Sequence, residues 1–185
     1  GGNVTGTSFL GPELIAKRLQ LLSEVVPQLS HVAVLWHPRA YSDRTTAGML
    51  KEIEGAAQTL GMRLQLVPAA GPDDITGAFA AMTRERAAAL IVFPSPMLFS
   101  QYSRIVTFAA NNRLPAIYAA REGVALGGLA SSGMHLPNLS RATAIYLATL
   151  LTGAKPAELH VPHPPQFAYL LNRRTAKRPG LEFRS

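Results

Sequence analysis

The stretch Ala87–Phe93, AAALIVF, carries no polar side chain and is stopped by Pro94. A run of that length, rich in branched residues and closed by a proline, is the pattern of a strand buried on both faces, and it predicts the centre of a parallel sheet. Before it, Ile75, Phe79 and Met82 fall at helical spacing within 73–86; after it, Ile105, Phe108 and Ala109 do the same within 100–112. Strand, helix, strand, helix is the local order. The expected fold class is α/β, a parallel sheet flanked by helices, with function at the loops beyond the strand ends.

The rest of the chain extends that order. Residues 1–11 are glycine-rich and read as a connector or short edge strand. Pro12 and Glu13 announce a helix whose apolar stripe is Leu14, Leu21, Leu22 and Val25, closed by Pro27. HVAVLW, His31–Trp36, is a buried strand. Ser42 or Asp43 is expected to cap the helix 44–60, with Met49, Ile53, Ala57 and Leu60 inward and Gly61 as its stop. RLQLV, Arg63–Val67, alternates as a half-buried strand nearer a sheet edge does. Asp73 or Asp74 is the expected cap of the helix that follows, and LPAIYA, 114–119, is a fourth strand. With its four glycines in 13 residues, REGVALGGLASSG shows no helix pattern, and a short strand that leaves the sheet is expected. Residues 137–151 form a helix with Leu139, Thr143, Tyr146 and Leu150 on one face. The arm 155–165 holds four prolines and is extended, PQFAYLLN is a last strand, and RTAKRPGL is a broken helical turn.

Composition removes several classes. At 185 residues and 48% hydrophobic content the chain can bury a sizeable core. It has no cysteine, hence no disulfide framework and no thiolate chemistry. No apolar run approaches the ~20 residues that cross a bilayer. The chain opens GGNVTG without an initiator methionine and is read as a piece of a longer protein. The net charge of +7 is concentrated in Arg173, Arg174, Lys177, Arg178 and Arg184; without those last 13 residues the count is 13 basic to 10 acidic. No aromatic residues are interleaved with that tail as a stacking platform needs, so no nucleic-acid partner is expected.

Ligands of open parallel sheets bind beyond the carboxyl ends of the strands, where helix N-termini present free N–H groups. That rule selects His37 and Pro38 after the first strand, Ala69 and Ala70 after the second, Ser95 and Pro96 after the third, and Tyr118, Arg121 and Glu122 at the fourth. Arg121 and Glu122 are either opposite charges offered to a ligand or a neutralised surface pair. Ser95 is either a donor to ligand or a turn and cap former, and His37 either a ligand contact or a loop residue satisfied by backbone. No GxSxG elbow, phosphate-loop lysine or GxGxxG after a strand is present, so no enzyme and no cofactor are expected. His160 and His163 lie two residues apart in the proline-rich arm without a third ligand, and no metal site is expected there.

GGNVTGTS, ELIAKRLQLL with HVAVLWHP, AAALIVFPSPMLF, NNRLPAIYAAREGVALGGLASSG, LLTGAKPAEL and FAYLLNRRTAKRPGL occur in this order over nearly the whole chain. Together they resemble the ABC transporter substrate-binding protein family related to tryptophan- and tyrosine-type binding proteins, whose fold is the type I periplasmic binding protein. The resemblance implies two α/β lobes joined by a hinge of crossing segments, with most of the N-terminal lobe absent from this chain. It assigns residues 1–11 to a crossover, 12–126 to the second lobe, 127–160 to a return crossing with a helix and arm that dock on the first lobe, and 161–185 to a hinge strand and tail. Thr7, Ser8, Ser131 and Ser132 would then lie at the hinge. His37 stands where the family commonly carries asparagine, and Ser132 where many relatives carry tyrosine.

The function so implied is capture of a small, amino-acid-like molecule between two lobes and its delivery to a membrane permease, outside the cytoplasm. The effector-sensing domain of a transcription regulator with the same fold is the alternative, and a small α/β enzyme a more distant one. Without its lobe, the Leu139 and Tyr146 face would be exposed, folded back or paired with another copy.

Overall fold

In the computed structural model, which describes residues 2–6, 14–134, 136–159 and 167–177, the apolar run supplies the strand β3 (Ala89–Val92), buried along its whole length. Before it come α1 (Ile15–Val25), β1 (His31–Trp36), α2 (Asp43–Thr59), β2 (Arg63–Pro68) and α3 (Asp74–Arg84). After it come α4 (Pro96–Ser100), α5 (Tyr102–Asn111), β4 (Ala116–Tyr118), α6 (Arg121–Ala125), β5 (Ala130–Met134) and α7 (Leu136–Leu151). A 3-10 turn at Pro156–Glu158, β6 (Phe167–Leu171) and α8 (Arg173–Ala176) complete the described elements.

The six strands form one sheet in the order β2-β1-β3-β4-β5-β6. The first five are parallel and β6 runs antiparallel to β5, Ser132 lying opposite Tyr169. Because strand side chains alternate, the central strands feed two cores. Ala33, Leu35, Leu90, Val92, Ala116 and Tyr118 meet α3 and α5 on one face. Val32, Val34, Ala89, Ile91 and Ile117 meet α1 and α2 on the other. The edge strand β2 buries only Gln65 and Val67, which suits its alternating sequence. From β1 the chain goes outward to β2 and returns on the other side of β1 as β3. The β1/β3 boundary is therefore the topological switch point, and its carboxyl end is the natural place for a ligand.

Several sequence expectations are corrected. The buried side of α1 is Leu14, Ile15, Arg18, Leu19 and Leu22, while Leu21 and Val25 are half-buried, so the stripe is rotated and includes a cation. Leu60 caps α2 at 38% exposure and does not face inward. Neither Asp73 nor Asp74 caps α3 with its side chain. Instead Asp74 accepts from the amides of Ala70 and Gly71, at 2.8 and 3.1 Å, and ties down the loop after β2. REGVA forms the short helix α6 despite its glycine. That glycine has a packing reason: a Cβ on Gly123 would fall 2.3 Å from the Tyr118 ring. The segment after it remains in the sheet as β5.

Within 2–6 no strand forms, and the remainder of the 1–11 connector lies outside the described residues, as do Pro12, Glu13, His160, His163 and the end of the basic tail. On α7 the expected face is half-buried at Leu139, Tyr146 and Leu150, and Thr5 and Tyr146 share a hydroxyl hydrogen bond. Exposed apolar side chains lie elsewhere on that helix, at Ile145, Leu147 and Leu151.

Candidate functional site at the carboxyl edge of the sheet

Two serines organise the loops at the switch point. Ser42 follows β1 and its Oγ accepts from the Thr45 amide, capping α2; Ser95 follows β3 and its Oγ accepts from the Leu98 amide at 3.0 Å, capping α4. These are the residues whose hydroxyls best satisfy free N–H groups at a helix start. Tyr41 bridges the two loops by donating its hydroxyl to the Pro94 carbonyl at 3.0 Å. Beside that bridge His37 is half-buried, its Nδ1 shielded and without a hydrogen-bond partner, in a small cavity shared with Trp36, Thr46 and Pro94. His37 and Ser95 therefore both sit at the switch point, and Ser95 is a cap.

The structure distributes the other expected residues unequally. Pro96 is exposed at the first position of α4, and Arg121 and Glu122 are exposed at the start of α6 with no ion pair between them. Tyr118 is fully buried, edge-on to Tyr102 with ring centroids 5.2 Å apart and packed on Gly123 and Gly128. It is a core residue, packed in the cluster covered by α3 and α5. Ser131 and Ser132 are buried in β5. Thr7 and Ser8 lie outside the described residues.

One residue at this edge was missed by the sequence reading. Arg18, on the second turn of α1, is 1% exposed, and its Nε donates to the Ser132 carbonyl at 2.8 Å. Its Nη1 and the Ser132 Oγ are both buried without a hydrogen-bond partner. Burial pulls the guanidinium down to about 10, partly offset by the hydroxyls of Tyr102, Tyr41 and Tyr169 within its electrostatic reach. Burial also pushes the Tyr102 hydroxyl well above its ordinary value, and Arg18 and the amides of Ala119 and Ala120 act in the opposite sense. The signal was available: Arg18 lies between Leu14 and Leu22 at spacings of four, on the stripe that the sequence marks as apolar.

Chemically, this edge is rich in donors. A guanidinium, several hydroxyls and the amides of the β4–α6 turn converge there, and no carboxylate is paired with Arg18 among the described residues. Among those residues no three His, Asp or Glu side chains are grouped as metal ligands. Such an arrangement can hold and orient an acceptor-bearing solute.

Residues 1–184 match the family described as ABC transporter substrate binding protein. No curated protein matches the chain. Among solved structures, a conserved domain protein of Vibrio cholerae O1 biovar El Tor superposes with a TM-score of 0.86 at 23% identity, over 100% of this chain and 60% of that one. The ABC domain of Streptococcus pneumoniae in complex with L-Trp gives 0.84 at 23% identity, over 100% and 62%. A LacI family transcriptional regulator of Arthrobacter, in complex with lactose, gives 0.68 at 19% identity, over 92% and 65%. At these identities the likeness is one of fold, and this chain spans about 60% of the length of the first two structures.

Proposed function

The chain belongs to the ABC transporter substrate binding protein family, and from that premise we propose that it is part of an extracytoplasmic receptor that captures an amino-acid-like solute and delivers it to an ABC permease. The observation that carries the reading is the cluster of Arg18, Tyr41, Tyr102 and Ser132 toward the carboxyl edge of a parallel sheet, with Tyr41 bonded to the loop at its switch point. These groups bind and orient; none of them forms a nucleophile and base pair. In this reading residues 12–126 are the second lobe, 1–11 and 127–134 are crossings of the hinge, α7 and the arm to 160 dock on the first lobe, and 161–185 hold a further hinge strand and the tail. The antiparallel placement of β6 beside β5 supports that division by bringing two expected crossing segments together, and the bond between Thr5 and Tyr146 ties a third to α7.

Closure of two lobes on a solute stabilises the folded protein by RT ln(1 + [L]/Kd), about 2.7 kcal/mol at 100 times Kd. A thermal-shift screen of the full-length protein against the amino acids, short peptides, sugars and nucleotides tests the reading. A raised melting temperature with an amino acid supports it. A shift with sugars or nucleotides alone favours the effector domain of a regulator, a reading to which the likeness to the lactose-bound LacI regulator gives weight.

A further inference from the structure

We propose that Arg18 and Ser132 form the anion end of this solute site, and that the solute places a carboxylate there. The proposal rests on the receptor reading and narrows its ligand class. A guanidinium that is 1% exposed must be compensated, because an isolated charge out of water is costly. Here the compensation is partial. The Nε is spent on the Ser132 carbonyl, the Nη1 has no partner, and the groups that act electrostatically on the cation are three tyrosine hydroxyls, none of them a carboxylate.

The second unpartnered group lies at the same place. Ser132 Oγ belongs to the residue whose carbonyl Arg18 holds, so an unpartnered N–H donor and an unpartnered hydroxyl lie on two residues already in contact, the second of them in the middle of β5. Two donors, one of them charged, match the two oxygens of a single carboxylate. A phosphate would bring more charge than one guanidinium offsets, and the groups that act electrostatically on Arg18 include no lysine or second arginine among the described residues. The outer rim is tyrosine. Tyr41 is half-buried and Tyr169 is 50% exposed, and both act electrostatically on Arg18, so their rings are the accessible members of this cluster and can cover the apolar part of a solute.

Matched pairs of solutes test the assignment by calorimetric titration of the full-length protein. L-tryptophan, L-leucine and L-glutamine are each compared with their primary amides, which keep the side chain and ammonium and lose the carboxylate charge; lactose is the uncharged control. The expected result is that at least one acid binds and that its amide binds about tenfold more weakly or worse. Arg18→Met is expected to lower affinity for the acid by a similar factor and to leave the amide unchanged, with Arg18→Lys between them and Ser132→Ala weakening the acid several-fold. Should Arg18→Met fail to fold, the acid-to-amide ratio in the unaltered protein and the Ser132→Ala variant decide. Equal binding of acid and amide, or of the acid to wild type and Arg18→Met, overturns the proposal while the receptor reading stands, and assigns Arg18 to a structural role; binding of lactose alone overturns both. Binding of none of these solutes overturns both.

Discussion

Gly133 lies so close to Ala119 that a Cβ built on it would fall 1.9 Å from the Ala119 carbonyl oxygen. The strand β5 runs parallel beside β4, so Gly133 meets the chain as it leaves β4, next to the Arg18 and Ser132 contact. The obstacle is backbone, so it cannot rotate away. Gly133→Ala is expected to cost about 1–3 kcal/mol or more, by forcing the two strand ends apart. Solute affinity should fall with it if the proposed site is right, because the Ala119–Ala120 backbone acts on the Tyr102 hydroxyl of that cluster. Urea denaturation and a binding titration of the same variant check both parts; a variant as stable as wild type would show that β5 can slide without loss.

Gly48 and Gly55 make the opposite case. Both are exposed inside α2, and an added methyl group at either meets nothing within 4 Å. Each should therefore gain helix propensity at no packing cost, so Gly48→Ala and Gly55→Ala are expected to stabilise the fold by about 0.5–1 kcal/mol each. The two sites lie two turns apart on one exposed face, and their effects should add. Melting temperatures of the single and double variants measure this.

Ser95 separates scaffold from ligand contact. Its Oγ accepts the Leu98 amide, with the side chain 2% exposed, so Ser95→Ala is expected to cost about 1 kcal/mol through the lost cap. Ser42→Ala should cost a similar amount at the start of α2, discounted for its more exposed position and its longer 3.3 Å bond. If Ser95 acts only as a cap, affinity for solute changes little once the variant is folded. A loss of affinity tenfold or greater at unchanged stability would instead make it a ligand donor.

The sequence made legible those elements whose burial is uniform along the strand. HVAVLW is β1 to the residue, and AAALIVF contains β3, because strands covered on both faces leave no polar interruption to misread. RLQLV showed its edge position by alternation. What failed was the interpretation of exceptions. Arg18 sits on an apolar stripe, and a stripe drawn through hydrophobic residues alone passes over a buried cation. The helix α6 was hidden by Gly123, whose reason is the Tyr118 ring beneath it, a contact between distant strand and helix positions that spacing cannot reveal. Tyr118 lies where the sequence puts it, at the end of β4, and the face on which its ring packs is what spacing does not give, since the direction of a side chain at a strand end depends on its neighbours. The same holds for Asp74, whose carboxylate turns back to the preceding loop.

Alkaline pH should expose the balance of charges around Arg18. Burial raises the hydroxyls of Tyr102, Tyr118 and Tyr41 above the ordinary tyrosine value of 10. A raised group contributes stability that is fully present below the unfolded value and is lost as pH rises above it, since the unfolded chain ionises first. Arg18 runs the other way. Its charge is disfavoured in the folded state, where burial brings it down to about 10 from its ordinary higher value, so its contribution is unfavourable below about pH 10 and is relieved as pH rises further. Three tyrosines oppose one arginine, and stability is expected to fall as pH rises above 10. Tyr102→Phe and Tyr118→Phe should flatten that fall. The Tyr118 hydroxyl is buried without a hydrogen-bond partner, so its removal should cost little at neutral pH. Arg18→Met should steepen the fall, both by removing the opposing titration and by withdrawing the cation that favours ionised Tyr102 and Tyr41. Urea denaturation between pH 8 and 11, with phenol absorbance followed in parallel, measures these slopes. Were all five tyrosines of the folded protein to ionise together near pH 10, the buried cluster at the carboxyl edge would be open to water, and the assignment of Arg18 to a desolvated site would fail with it.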